Sequence, residues 1–382
     1  MFDQLLRDAV STGLIPGAIL YAQSADGALD WSQAISGSSA QYVKEAKLEI
    51  ASLTKLITII ATLQLVEKEV LKLDQNVEDL IPTFARIEVL DGFDANGSPL
   101  LHKRRNSITV NKLLTHTSGA AYPVVDARLN DYKRCKGQDT SGSGTVDDSF
   151  GLPLSFEPGE GWSYGPGIDR MGQVIEKVTG LTLEQYFQQH IFSPLGMATA
   201  SFWARPDVPM AAYSPVDGQL SHDHGRPTFT TGLTECHGGQ GLVMSIPDFA
   251  KVLRSLLMDD GVLLKPETAA LMFEPHLSLG PRTMLLDKIQ AAEWTVGDIP
   301  STGEYSWSLG GLLIDGDSHA FRRRNTLTWS GAVNLFWFID RAAGVYGVLG
   351  LQIMPPSDPK VQYLIKAFEE EVYRKAGRLV KF

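Results

Sequence analysis

Two serines in this 382-residue chain stand in surroundings that suit a nucleophile. The first is Ser52 in "ASLTKLITIIATLQLVEKEV", three residues before Lys55 at the start of a helical stretch. Residues three apart on a helix share a face about one turn apart, so this spacing sets an amine beside a hydroxyl. Serine attacks a carbonyl only when a neighbour takes its proton, and burial of a lysine, ordinarily titrating near ~10.4, is what turns an amine into a base. A helix start adds free backbone N–H groups and a positive dipole end, both of which favour a developing oxyanion. The alternative is structural: a capping serine beside a solvated first-turn lysine, since S-x-x-K alone is a common pattern.

The second is Ser163 in "GWSYG", Gly161 to Gly165, a match to G-x-S-x-G. A nucleophile elbow needs a strand running into the serine and a helix running directly out of it. Here a Pro-Gly turn, "SFEPGE", comes before, and a Gly-Pro-Gly separates the motif from the next helix, where proline suits a helix start. An elbow hydrolase would pair Ser163 with a histidine such as His190.

The elements that must position these groups are legible at both chain ends. "MFDQLLRDAVSTG" spaces Phe2, Leu5, Leu6 and Val10 as an amphipathic helix, interrupted by charges and so unlike a signal peptide. "IPGAILYAQSADGALDWSQAISG" reads as a hairpin about an Asp-Gly turn. "TLTWSGAVNLFWFIDRAAGVYGVLGLQIM" gives two more strand runs, followed by the helical "VQYLIKAFEEEVYRKAG". Between the ends, helices are predicted over Leu56 to Val70, Val110 to Leu114, Ile168 to Thr179, Leu183 to Phe192 and Asp248 to Met258. The pattern predicts an α/β domain from residues 1–85 and 195–382, interrupted by a mainly helical domain, 86–194, with the active site between them. Lys136 to Ser149, rich in Gly, Ser and Asp, reads as a mobile surface loop.

Composition narrows the function. A net charge of -10 and a pI near 5.3 argue against nucleic-acid binding. The one basic cluster, Arg322 to Arg324, reads as a solvated approach to a strand. Two cysteines, Cys135 and Cys236, make neither a disulfide framework nor a metal spacing, which points to a reducing, cytoplasmic setting. The apolar run Leu56 to Val66 is shorter than the ~20 residues a membrane span requires. His222 and His224 in "SHDHG" lack a third ligand at recognisable spacing, so a surface loop is favoured over a metal site. His116 in "LLTHTSG" reads as structural, bonding its own loop.

One ordered set of motifs decides between the serines. With "SLTK" at 52 to 55, "LLTHTSG" at 113 to 119, "FEPGEGWSYG" at 156 to 165, "PLGM" at 194 to 197, "GGQGLVMSIPDF" at 238 to 249 and "WSGAVNLFWFID" at 329 to 340, nearly the whole chain resembles the class C β-lactamase-like serine hydrolase and transesterase family. "LITIIATLQLVEKEVLKLDQNVEDLIP" and "YGPGIDRMGQVIEKVTGLTLEQY" are similar to its fungal lovastatin-pathway acyltransferase branch and the related esterases. The resemblance implies a β-lactamase/transpeptidase-like α/β fold: a central antiparallel sheet flanked by helices, plus an inserted all-helical domain. It also implies that Tyr164, rather than Ser163, is the functional residue of GWSYG, passing protons beside Ser52 and Lys55. The oxyanion donors are then the backbone N–H groups of Ser52 and Ala332.

Two departures bear on the substrate. Where β-lactamases carry Tyr-x-Asn this chain has Tyr164, Gly165 and Pro166, and where they carry Lys-Thr-Gly it has Trp329, Ser330 and Gly331. The groups that grip a β-lactam are missing, and antibiotic hydrolysis is not expected. Trp329 offers a flat apolar wall for a bulky ester, with Ser330, Gly331 and Tyr122 beside it; packing is the equal alternative for Tyr122. The expected reaction takes an acyl group from an ester or thioester (acyl-CoA or a carrier protein) to Ser52. It then passes to a hydrophobic alcohol of the polyketide kind or, in an esterase, to water. No cofactor, metal, nucleic acid or membrane enters this scheme. A catalytically silent relative of the fold is the competing reading.

Overall fold

Residues 2–38, 40–137, 144–214, 218–222, 228–290 and 294–379 are described by a computed structural model. Both chain ends feed one sheet. Helix α1 (Phe2–Ser11) buries Phe2, Leu6 and Ala9, one face at helical spacing. It leads into strands β1 (Gly17–Ser24) and β2 (Asp30–Ser36), an antiparallel hairpin in which Ala22 faces Trp31. Gly27 takes the left-handed conformation the turn needs (φ 74°).

The chain then runs through helix α2 (Thr54–Glu67), helix α3 (Gly167–Thr179), helix α4 (Ile246–Met258) and helix α5 (Leu279–Gln290). It returns to the sheet as β3 (Tyr305–Trp307), β4 (Leu312–Ile314), β5 (Leu327–Gly331), β6 (Leu335–Asp340) and β7 (Val345–Gly350). The order is β2-β1-β7-β6-β5-β4-β3, with every neighbouring pair antiparallel. Ile19 of β1 faces Gly350 of β7, so the first and last strands of the sheet are direct neighbours. Helix α6 (Pro359–Lys375) follows, capped by Asp358 accepting from the Lys360 N–H, with Pro359 in its first turn.

Strand alternation divides the interior into two cores. On β6, Leu335, Trp337 and Ile339 face the core that holds α2, while Phe336 and Phe338 face the one built by α1 and α6. Helix α2 is buried on every side, from Thr54 to Leu65, and forms the axis of the first core. It is shorter than the predicted Leu56 to Val70. Glu69 turns left-handed (φ 57°), and the N–H groups of Val70 and Leu71 both return to the Leu65 carbonyl, closing the helix.

The predicted short helix Val110–Leu114 is present, and Leu183–Phe187 runs on into a wider turn, Gln188–Phe192. The 86–194 segment also carries an antiparallel hairpin, Glu88–Phe93 with Pro99–Lys103. Part of the predicted loop Lys136 to Ser149 falls outside the described residues. Its end is a short helix, Val146–Phe150, because the Thr145 side chain accepts from the Asp148 N–H.

The reading of Arg322 to Arg324 as solvated is corrected. Arg322 is buried and grips the buried Glu369 of α6 with two hydrogen bonds, 2.7 and 2.6 Å. Arg323 donates to the Arg378 carbonyl, and Arg324 pairs with Asp315 and Asp317. Cys135 is exposed, Cys236 buried, and both are free thiols. Among the described residues no helix is long and apolar enough to cross a membrane, and no three His, Cys, Asp or Glu side chains are grouped to hold a metal.

Candidate active site

Ser52 sits in a tight turn, Ala51–Leu53, that joins a short strand to α2. The strand, Lys47–Glu49, pairs with Val243–Ser245. The two segments stay side by side beyond the pairing: the Ile50 N–H bonds the Leu242 carbonyl, the Leu242 N–H bonds Thr54 Oγ1, and Thr58 Oγ1 donates to the Gly238 carbonyl. Ala51 is held left-handed (φ 44°), a conformation unfavourable for a residue with a Cβ, at the turn that presents Ser52. No side chain caps this helix start, so the capping alternative for Ser52 does not apply.

Lys55 lies one turn on, 3 % exposed, with three partners around its Nζ: Ser52 Oγ at 3.1 Å, Tyr122 Oη at 3.2 Å and the Gly239 carbonyl at 2.8 Å. All three partners are neutral. Tyr122 comes from the loop beyond His116, and its backbone N–H is bonded to the Tyr164 carbonyl. Its hydroxyl donates to Asp169 Oδ2, 2.9 Å away, in the first turn of α3. Burial, reinforced by the Asp169 carboxylate and by Tyr164, pushes the Tyr122 phenol well above its ordinary range, so it remains a proton donor.

The Tyr164 ring lies 4.7 Å from Lys55 Nζ, and its hydroxyl accepts from Trp329 Nε1 at 3.1 Å. Trp294 stacks on it with planes 5° apart, and Trp307 meets Trp329 edge-on at 4.6 Å. These three tryptophans and Tyr122 form an aromatic enclosure about the phenol. Gly165 admits this packing: a Cβ there would stand 2.2 Å from the Ala120 carbonyl oxygen.

Trp329 lies on β5, which ends at Gly331. A Cβ on Gly331 would fall 2.8 Å from the Ile50 carbonyl oxygen, so the strand end lies directly against the turn bearing Ser52 and brings Ala332 alongside it. Among the described residues neither the Ser52 nor the Ala332 N–H donates a hydrogen bond. An oxyanion hole requires free N–H donors of this kind. Ser330, opposite Phe336, is turned by strand alternation away from the Trp329 face, and its side chain makes no hydrogen bond to this cluster.

Ser163 is elsewhere. It is completely buried, its N–H bonded to the His116 carbonyl and its Oγ accepting from Lys288 Nζ of α5 at 2.9 Å. Burial lowers the Lys288 amine below its ordinary value, yet no substrate reaches a hydroxyl without exposed surface. No hydrogen bond joins Ser163 to His190, which packs on Tyr186 and gives its carbonyl to Gln64.

Residues 2–369 match the family described as Beta-lactamase. The chain belongs to the β-lactamase family. It is 36% identical to a lovastatin esterase of Penicillium rubens over 98% of both chains. It is 32% identical to the monacolin J acid methylbutanoyltransferase of Aspergillus terreus, covering 98% of this chain and 95% of that one. Among solved structures, unliganded simvastatin synthase from Aspergillus terreus superposes with a TM-score of 0.90 at 33% identity, over 98% of this chain and 97% of that one. The hydrolase EstCE1, at TM-score 0.71 and 20% identity, shares the fold. The expected β-lactamase/transpeptidase-like fold is the one observed.

Within this β-lactamase-family enzyme, His116 does more than bond its own loop. It is left-handed (φ 58°), its carbonyl accepts from Ser163, and its Nδ1 accepts from the Gly165 N–H at 3.3 Å. Burial, then the Lys55 charge, hold its imidazole well below the usual histidine range, so the ring is neutral and rigidly placed 4.8 Å from Tyr164. His222 ends a short strand, Leu220–His222, and His224 lies outside the described residues. Sequence reasoning missed Asp169, Gly239, Trp294 and Trp307. The paired glycines of "GGQG" were the one available signal, marking a close backbone approach.

Proposed function

We propose that this chain is a serine acyltransferase that carries an acyl group on Ser52 and delivers it to a hydroxyl of a polyketide-like secondary metabolite. The observation that carries the reading is the 3.1 Å contact between Ser52 Oγ and a buried Lys55 whose other partners are neutral acceptors. Ser52 Oγ attacks the carbonyl of an ester or acyl thioester while its proton passes to the Lys55 amine. The Ser52 and Ala332 N–H groups take the oxyanion, and collapse expels the alcohol or thiol, protonated through Lys55 and Tyr164. An acceptor hydroxyl then gives its proton back along the same route and attacks the acyl-enzyme, restoring Ser52.

The relatives named methylbutanoyltransferases support an alcohol acceptor, and the tryptophan wall suits an apolar one. The donor is an acyl-CoA or an acylated carrier protein, in a cytoplasmic setting. Ser52, Lys55, Gly239, Trp329 and Ala332 belong to the proposed α/β domain of residues 1–85 and 195–382. Tyr122, Asp169 and Tyr164 belong to the proposed 86–194 domain, and the site lies between the two. A second reading is favoured by the relative at 36% identity, which is an esterase: the same acyl-enzyme discharged to water. Incubation with a short-chain acyl thioester, with and without monacolin J acid as a trial alcohol, separates the two. Ester formed with the alcohol present supports the transferase; free acid alone in both arms overturns it in favour of the esterase.

A further inference from the structure

Four segments of chain close a ring of hydrogen bonds behind Ser52. Lys55 Nζ donates to Tyr122 Oη and to the Gly239 carbonyl; Tyr122 Oη donates to Asp169 Oδ2; and the Gly239 N–H donates to Asp169 Oδ1 at 2.8 Å. Asp169 is completely buried. Gly239 has no room for a side chain, since a Cβ would lie 2.2 Å from Asp169 Oδ2, so the carboxylate is wedged against the backbone it bonds.

We propose that Asp169 is a positioning residue for acyl transfer: by holding the Tyr122 hydroxyl proton, it leaves the Lys55 lone pair no partner except Ser52. The proposal rests on the Ser52 and Lys55 roles given above, and it follows from counting donors. A carbonyl and a carboxylate only accept. The Tyr122 proton is committed to Asp169, so toward Lys55 its oxygen also only accepts. In the base form, the one that can take a proton from serine, an amine has two N–H bonds and one lone pair. In that form the Gly239 carbonyl and Tyr122 Oη take the two N–H bonds, and the lone pair is left for the Ser52 hydroxyl, the third partner of Lys55 Nζ. A Tyr122 hydroxyl free to rotate would donate to Lys55 and consume that lone pair. Asp169 touches no reacting atom; it acts through Tyr122.

The test is a double-mutant cycle read by the rate of acyl-enzyme formation from a short-chain activated ester, followed by intact mass. In Asp169→Asn the amide oxygen keeps the Gly239 N–H, and its NH2 group meets Tyr122, so the phenol proton turns to Lys55. Acylation falls on the order of a hundredfold with KM little changed. Tyr122→Phe removes one acceptor and costs about tenfold. The double variant returns to the Tyr122→Phe rate, because no hydroxyl remains to compete. A merely structural Asp169 gives losses that multiply, and a double variant slower than Asp169→Asn overturns the proposal. A double variant held at the Asp169→Asn rate overturns it too, because removing the hydroxyl then relieves nothing. Ser52→Ala keeps the two claims apart. Acylation persisting in Ser52→Ala defeats the nucleophile assignment, whereas acylation lost there but unchanged in Asp169→Asn defeats this proposal alone.

Discussion

Lys55 and Arg322 are both 3 % exposed, one in each of the two cores on either side of the sheet. Arg322 is held by a carboxylate in a two-pronged bond, and a guanidinium so held stays charged under all working conditions. Lys55 touches no carboxylate. Its partners are a serine hydroxyl, a phenol and a carbonyl, and the nearest acid on its hydrogen-bond path, Asp169, acts only through Tyr122. Burial is common to both side chains; what differs is whether a carboxylate or a set of neutral groups surrounds the nitrogen. The first arrangement builds structure, and the second is the one the proposed mechanism needs for a base.

The contrast breaks most sharply under single substitutions. Lys55→Ala is expected to lower kcat by ~10³-fold or more while leaving the urea midpoint no lower, since a buried polar group is removed. Arg322→Met is expected to do the reverse, preserving kcat per folded molecule and destabilising the fold by about 3–5 kcal/mol as Glu369 is left buried and unpaired. Adding Glu369→Leu to Arg322→Met should recover most of that stability, as measured by urea unfolding. Tyr164→Phe, which deletes the hydroxyl proposed to pass protons, should reduce kcat on the order of a hundredfold. Trp329→Phe, which keeps the wall but removes the donor to Tyr164 Oη, should cost about 1 kcal/mol, roughly a factor of five in kcat/KM.

The smallest effect concerns the loop that leads into Tyr164. Burial alone would raise the Glu157 carboxyl, but bonds from the Arg105 N–H, His102 and the Asn106 N–H overcome it, holding it down to about 2 from the ordinary 4.5. A carboxyl depressed in the folded state lends stability that is full above the unfolded value and lost as pH falls through the folded one. The melting temperature should therefore decline between about pH 4.5 and pH 2, and Glu157→Gln should flatten that decline.

How much of this could be seen in the sequence depends on how local each feature is. Ser52 and Lys55 were legible because three residues of helix fix their relation. The terminal strands were legible from alternation and turn chemistry. The role proposed for Tyr164 came only through the family pattern, since nothing nearby in sequence distinguishes a catalytic phenol from a core one. Asp169 and Gly239 were invisible: the ring joins residues 55, 122, 169 and 239, and no spacing rule spans such separations. Arg322 was misread for the same reason, its partner Glu369 lying 47 residues away on α6. The GWSYG match misled in an instructive way. Its outer glycines serve close packing, Gly161 against Met284 and Gly165 against Ala120, so the pattern arose from the space available rather than from an elbow.

Intact-mass measurement after brief exposure to a short-chain activated ester, with peptide mapping, decides whether Ser52 carries the acyl group. A single acyl increment is expected on the peptide containing Ser52, absent in Ser52→Ala. An acyl group on the peptide containing Ser163, or turnover that survives Ser52→Ala, would contradict it.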